Sequence, residues 1–374
     1  MQQIYLDYNA STPIAPEVKE AMSPYLEGFY GNPSALHFAG IDAKLAVENA
    51  RKQVASLLNC HADEIVFTSG GSESNNHVLK GVYHSLKEKG NHIITTKIEH
   101  PAILNPCKFL EKLGAKITYL DVDSLGRVDP DHIEKSITEQ TILISVMHSN
   151  NEVGTIQPIE EIGQIAKRHN VLFHTDASQS IGKVPIDVNL LQIDFLTIAG
   201  HKVYAPKGIG ALYIRKGIDI EPLIHGAGHE SGRRAGTENI VLAVGLGRAC
   251  ELAKENEAEN SRIKQLRDKF WNQLQQIPQV SLNGHPIERL PNTLNINFEK
   301  RVGQDILASI PMIAASTGSA CHAGEVSLSP VLKAMGVEES VGMGAVRFSL
   351  GRYTTEEEIN KVVDLLIKLP VNLR

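Results

Sequence analysis

Between about Pro16 and Gly217 the chain alternates short apolar runs with longer amphipathic stretches. The runs are rich in β-branched and aromatic residues and fall at Glu64–Thr68, His92–Thr96, Lys116–Leu120, Ile142–Met147, Val171–His174, Phe195–Ile198 and Gly210–Ile214. Runs of this length read as strands, and the stretches between them as helices. The rhythm predicts an α/β fold whose large domain carries a mostly parallel sheet covered by helices on both faces. In such sheets ligands sit outside the carboxyl ends of the strands. The segments Ser69-Gly70-Gly71-Ser72, His100, Asn150-Asn151, Asp176 and Lys202 all fall at predicted strand ends, so convergence in space follows from topology.

A charged helical stretch from about Thr237 to Gln276 leads into a different pattern. Gln279–Leu282, Asn292–Phe298, Ile313–Thr317 and Ala345–Ser349 read as strands interrupted by two or three helices, which predicts a smaller α+β domain joined by the N-terminal segment. A chain of 374 residues is long for one core. The expected division is a large domain over residues 15–255 and a small one built from 1–14 and 256–374.

Composition narrows the function. The 37 Lys and Arg against 43 Asp and Glu give a net charge of −6 with both signs interspersed, which provides neither a basic stripe for nucleic acid nor a polybasic membrane anchor. No apolar run approaches the roughly 20 residues that span a bilayer, and the N-terminus lacks signal-peptide regions. A cytoplasmic protein is expected. Cys60, Cys107, Cys250 and Cys321 have no CxxC or zinc-like spacing, so free thiols and no structural metal site are expected.

Lys202, in Ala199-Gly200-His201-Lys202, lies 26 positions (202 − 176) after Asp176. An amine and an acid at two strand ends suit pyridoxal 5'-phosphate: the amine forms a Schiff base with the aldehyde, and the carboxylate keeps the pyridine nitrogen protonated. Taken alone, the lysine also reads as a solvated surface charge and the aspartate as a turn former or helix cap. The glycines of Ser69-Gly70-Gly71-Ser72 let backbone amides approach a phosphate at a helix N-terminus. The same segment also reads as an ordinary turn with Ser72 as helix cap. His100, before Pro101, suits stacking on a planar ring and proton transfer, or equally capping and packing. Asn151 and Gln179 are placed to hydrogen-bond a ring hydroxyl, or are turn residues. Cys321 lies in a run of small and polar residues, Ser316 to Glu325, read as a mobile loop; it is an exposed thiol beside His322 that forms a nucleophilic thiolate, or an inert packing cysteine. Arg347 interrupts an apolar strand, where a guanidinium binds a substrate carboxylate or forms a structural salt bridge.

With these pieces in order, the sequence resembles the cysteine desulfurases, aminotransferase-like pyridoxal phosphate enzymes that supply sulfur for iron–sulfur clusters and tRNA modification. The resemblance runs from Tyr5-Leu6-Asp7-Tyr8-Asn9-Ala10 through Gly31-Asn32-Pro33-Ser34, the phosphate turn, Glu99-His100, His148 to Gly154, Asp176-Ala177-Ser178-Gln179 and Gly200-His201-Lys202 to Arg347-Phe348-Ser349-Leu350-Gly351-Arg352. It implies the fold of type I pyridoxal phosphate enzymes. Lys202 becomes the Schiff-base lysine, Asp176 the partner of the pyridine nitrogen and His100 the stacking residue. Asn151 and Gln179 face the ring hydroxyl, and Gly71, Ser72 and His201 the phosphate. Thr237 matches a position reaching the neighbouring subunit's phosphate, which implies a homodimer. L-cysteine would pair its carboxylate with Arg347, with Asn151 also at the substrate, and pass its sulfur to Cys321 as a persulfide for a sulfur-acceptor or scaffold protein. Cys321 is also a possible transient iron–sulfur ligand. Many members carry Ser where this chain has Ala199. The Cys321-His322 pair, together with Phe195-Leu196-Thr197-Ile198 and Gly236-Thr237-Glu238-Asn239, resembles the selenocysteine lyases. That activity is therefore the nearest rival, ahead of an aminotransferase and a non-catalytic scaffold.

Overall fold

The structure is a computed structural model that describes residues 3–317, 320–322 and 325–370, with 257, 320–322, 325 and 326 described by backbone alone. The seven apolar runs form one sheet from β1 (Ile65–Thr68), β2 (His92–Thr96), β3 (Lys116–Leu120), β4 (Thr141–Ser145), β5 (Leu172–Asp176), β6 (Phe195–Ala199) and β7 (Gly210–Ile214). Their order is β1-β7-β6-β5-β4-β2-β3. All neighbouring pairs are parallel except those of β7, which is antiparallel to both β1 and β6. Several strand bounds differ by one or two residues from the sequence reading, and two of the differences bear on the site. β4 ends at Ser145 rather than Met147, and β5 runs on to Asp176, so Asp176 is the last residue of its strand.

Successive strand residues go to opposite faces, and here both faces are covered. Ile94, Ile144, Phe173 and Leu196 belong to a core shared with the helices Phe38–Leu58 and Ile240–Glu255. Their neighbours Ile93, Leu143 and Phe195 belong to a second core shared with the helices Gly71–Leu86 and Pro101–Glu111. Near-continuous apolar strands are what a sheet buried on both faces requires.

The charged stretch after Thr237 divides into two helices, Ile240–Glu255 and Glu257–Leu274. Asn256 leaves helical geometry at φ −113° and ψ 36°. Its backbone N–H and its Nδ2 both donate to Leu252 O, at 3.1 and 2.8 Å, which closes the end of the first helix. The second helix shares a separate core with β8 (Val280–Asn283), β9 (Thr293–Phe298), β11 (Ala345–Ser349) and the last helix, Glu356–Lys368. β10 (Ser316–Thr317) completes this antiparallel sheet in the order β10-β11-β9-β8. The N-terminal segment joins the same core: Ile4–Tyr5 pairs in parallel with Ile313–Ala314, and Ser349 N donates to Leu6 O at 2.7 Å. The segment read as a loop around Cys321 contains a short antiparallel hairpin, Ala320–His322 against Glu325–Ser327, with Cys321 paired to Val326. The Cys321 side chain lies outside the described residues.

Candidate active site

The carboxyl ends of β1, β2, β5 and β6 meet the N-terminal segment and β11 around a cleft of about 220 Å³. Gly71, Ser72, His100, Asn151, Asp176, Gln179, His201, Lys202 and Arg347 all line it, joined by Asn9, Asn75 and Ser178 among others. Thr237 is exposed and is not part of the lining.

At one end, β1 passes through Ser69 and Gly70 into the helix Gly71–Leu86. Gly70 is the N-cap at φ 148°, with no side-chain cap, so Ser72 is not the cap. The first-turn amides stay available to an anion, as glycine at that φ and the helix dipole favour. Glu73 Oε2 accepts from Ser69 N at 2.8 Å, and Glu73 Oε1 accepts from Arg234 Nε at 2.9 Å, which ties the segment leading to Thr237 against this turn. His201 follows β6, and its Nδ1 is buried with no partner among the described residues. Burial, with Lys202 and Lys207 nearby, pushes its pKa down to about 4, so it is a neutral imidazole at physiological pH.

Asp176 ends β5 with its carboxylate anchored twice: Oδ1 accepts from Ser178 N at 2.9 Å and Oδ2 from Asn75 Nδ2 at 2.7 Å. Both partners are donors, which suits an ionised acid. His100 sits at the end of the β2 connection, where its Nδ1 caps the helix Pro101–Glu111 by accepting from Ala102 N at 3.1 Å. The capping alternative is therefore real, and the residue still faces the cleft. Glu99 beside it is buried, accepts from Thr96 Oγ1 at 2.8 Å and Met147 N at 2.9 Å, and has its pKa raised by burial to about 8.

Lys202 lies in the single turn Gly200–Lys202 after β6. Its Nζ donates to the carbonyls of Asn9 and, at 3.0 Å, Ala10. Burial and repulsion from Arg347 lower the amine to about 8, with Asp176 and Asp7 acting in the opposite sense. Asn9 is itself pinned: its N–H donates to Ser349 Oγ at 2.9 Å, and its Nδ2 to Thr293 Oγ1 at 2.9 Å and Asn151 O at 3.2 Å. Its carbonyl also accepts from Gln179 Nε2 at 3.0 Å. Arg347 donates through Nη2 to Asp7 Oδ1 at 2.7 Å and Ser316 Oγ at 3.0 Å, and through Nη1 to Asn151 O at 2.9 Å. The salt-bridge alternative for Arg347 is thus also realised, but its buried Nε has no partner among the described residues.

Asn75 and the Asn9 and Ala10 carbonyls are site groups that the sequence reading did not single out. Asn75 has an available signal: it lies one helical turn after Gly71 and so on the same helix face. Backbone carbonyls offer none.

Pyridoxal phosphate fits this donor set. The cleft holds an amine of lowered pKa, an anchored carboxylate, a glycine turn at a helix N-terminus and a neutral histidine. Asn75 Oδ1, His201 Nδ1 and Arg347 Nε, all on lining residues, are buried without partners among the described residues.

Comparison with known proteins agrees with this geometry. A family model described as aminotransferase class-V matches residues 4–362. The cysteine desulfurase IscS of Dictyoglomus turgidum is 48% identical over 377 aligned positions, covering 100% of this chain and 96% of the relative. A solved structure described as a NifS-like protein superposes with a TM-score of 0.92 at 39% identity, covering 98% of this chain and 99% of its own. A structure described as SspA in complex with cysteine superposes with a TM-score of 0.84 at 40% identity, over 94% of this chain and 100% of its own. Matched by that family model over most of its length and by relatives of 48% and 39% identity across nearly the whole chain, this chain belongs to the aminotransferase class-V family of pyridoxal phosphate enzymes.

Proposed function

We propose that this protein is a cysteine desulfurase: L-cysteine and the Cys321 thiol give L-alanine and a Cys321 persulfide. The substrate C–S bond breaks, a new S–S bond forms, and the carbon fragment keeps the electron pair and is protonated to alanine. The observation that carries this reading is the convergence of Lys202, Asp176 and Arg347 on one cleft.

Lys202 Nζ, Asp176, His100, Asn151, Gln179 and the Gly71, Ser72 and His201 end of the cleft would hold the cofactor. When bound, it supplies an electron-withdrawing ring that acidifies the substrate Cα–H. Arg347 binds the substrate carboxylate, its Nε being the donor left over from the Asp7, Ser316 and Asn151 contacts. Lys202 takes the Cα proton. An amine at about pKa 8 is partly unprotonated near neutral pH and is well matched to that task. The carbonyls of Asn9 and Ala10 accept from its protonated form.

The reading extends to the assembly. Residues 15–255 act as a large domain and 1–14 with 256–374 as a small one, a division supported by apolar cores belonging to each, with a fourth core of Ile98, Met147, Val153, Val331, Leu332, Met335 and Ala345 joining the two. A homodimer is supported by the exposed apolar side chains Leu26, Tyr30, Leu36, Phe38 and Leu45, each more than 60% exposed. Thr237 would then serve the partner's phosphate. The persulfide passes to a sulfur-acceptor or scaffold protein. The reading also places the enzyme in the cytoplasm; among the described residues no helix is long and apolar enough to cross a membrane.

The test is alanine release by the cofactor-loaded protein from L-cysteine and, in parallel, L-selenocysteine under reducing conditions. Comparable rates are expected, with Lys202→Ala inactive on both and Cys321→Ala unable to process cysteine. Alanine from selenocysteine alone would move the assignment to selenocysteine lyase. A Cys321→Ala variant that transaminates normally would move it to an aminotransferase.

A further inference from the structure

Lys183 has no place in the chemistry above, yet it is joined to it. The turn after β5 is closed by Ser180 N and Ile181 N, both donating to Ala177 O at 2.9 Å, and by Lys183 N donating to Ser180 O at 2.9 Å. Gly182 adopts φ 71°, and a Cβ there would approach Ala253 Cβ to 2.9 Å. This geometry brings Lys183 Nζ to 3.2 Å from Gln179 Oε1. Lys183 also lines a second cavity of about 40 Å³, which Lys202 shares, so Lys202 borders both spaces.

A carboxamide can present its oxygen or its NH2 group in either of two orientations, and its neighbours decide which. An ammonium at Oε1 can only donate and so requires an acceptor there, and the Asn9 carbonyl at Nε2 requires a donor. Both constraints select the same orientation. Without Lys183 only the Asn9 carbonyl would remain, and that oxygen is shared with Lys202.

We propose that Lys183 is a positioning residue, which fixes the Gln179 carboxamide so that its Nε2–H faces Asn9 O, Lys202 and the oxygen on the cofactor ring. The proposal rests on the role assigned to Gln179 above. Retaining a cation here is costly. Burial, with repulsion from Lys202 and Arg347, pushes the Lys183 amine down to about 7. Among the described residues it makes no ion pair, although Glu259 and Arg352 border the inner cavity and Glu160, Asp187 and Lys254 the outer groove. A partly buried lysine kept for one hydrogen bond to a cleft glutamine is poorly explained by stability, since replacing it with an apolar side chain of similar length removes a desolvation cost.

The experiment compares Lys183→Met, Lys183→Arg, Gln179→Ala and the Lys183→Met/Gln179→Ala double variant, loaded with pyridoxal phosphate. The readouts are the pH midpoint of the visible absorbance change, the rate of cofactor loss and the thermal midpoint of cofactor-free protein. A donor and a cation near the ring oxygen favour its anionic form, so Lys183→Met is expected to raise the absorbance midpoint by about half a pH unit or more. Cofactor loss should quicken several-fold, while the thermal midpoint stays level or rises. Lys183→Arg should retain wild-type values, and the double variant should match Gln179→Ala alone. The proposal is overturned if Lys183→Met titrates like wild type while Gln179→Ala shifts, if the two effects add, or if the shift comes with loss of cofactor-free stability. A silent Gln179→Ala would instead remove the role given to Gln179, and the proposal with it.

Discussion

Lys202→Met should abolish turnover and yet make the cofactor-free protein harder to unfold. Folding lowers the Lys202 amine from 10.5 to about 8, and at about 1.4 kcal/mol per pH unit that gap corresponds to on the order of 3 kcal/mol spent on holding a cation in the cleft. Two terms reduce the gain from removing it. Lys202 is only partly buried, so solvent screens some of the cost. Methionine also gives up the bonds to the Asn9 and Ala10 carbonyls. A net stabilisation of about 1–2 kcal/mol at pH 7 remains. The sign depends on pH in a defined way. A lysine whose folded pKa is depressed destabilises the fold fully below about pH 8, and the penalty fades as pH rises toward 10.5. Urea unfolding of cofactor-free wild type and Lys202→Met at pH 7 and pH 10 checks this. The variant should have the higher midpoint at pH 7, and the difference should shrink at pH 10. A variant equally or less stable at pH 7 would refute the view that the cleft strains its lysine.

Three further outcomes are expected. Arg347→Ala should raise KM for L-cysteine much more than it lowers kcat, by the equivalent of about 2–4 kcal/mol if the carboxylate pair is desolvated; steady-state kinetics decide, and an unchanged KM would remove the role of Arg347. Asp176→Asn sets an NH2 group against either Ser178 N or Asn75 Nδ2, both donors to Asp176 now; a loss of about 1–3 kcal/mol in urea unfolding and a large drop in kcat are expected, and wild-type values for both would contradict the anchoring. Ala199→Ser adds a hydroxyl where Ala199 Cβ and Ser178 Oγ both lie within 3.4 Å of a Cβ built on Gly71; cofactor dissociation, followed by absorbance after dilution, should slow by about threefold to tenfold, and no change would mean that the cradle is already satisfied.

Much of this arrangement is legible in the sequence because strand ends are. Asp176 and Lys202 sit beside apolar runs that period and length mark as strands, and the topology of a parallel sheet then brings them together. Arg347 was readable as a charge that an apolar strand would not carry without a partner. What could not be read is the identity of those partners. Asp7 lies 340 positions from Arg347, and the carbonyl that receives Lys202 lies 193 positions away; backbone oxygens have no residue type to betray them. Lys183 carries no signal in the sequence, because its bond to Gln179 depends on a turn whose geometry Gly182 sets. The break at Asn256 was missed for a related reason: the charge pattern runs through it, and the helix ends in the backbone geometry of Asn256, whose N–H and side chain both close on Leu252 O.

The pairing of residues 4–9 with the strands at 313–314 and 345–349 has a consequence for the order of assembly. Joining Asp7 to Arg347 closes a loop of 340 residues, and chain closure of that length costs about 5 kcal/mol. No single contact offsets this, so the bonds from Ile4, Leu6, Tyr8 and Asn9 to the late strands should form and break as one unit. On a chain emerging from the ribosome, Asp7 waits for nearly the whole remainder of synthesis, while the seven-stranded sheet has all its strands by Ile214. The scaffold can therefore exist before the cleft does, and the cofactor site is among the last features to be completed. Native-state hydrogen exchange would register this as common opening of the Ile4, Tyr8, Asn9 and Ser349 amides, separate from that of the central sheet.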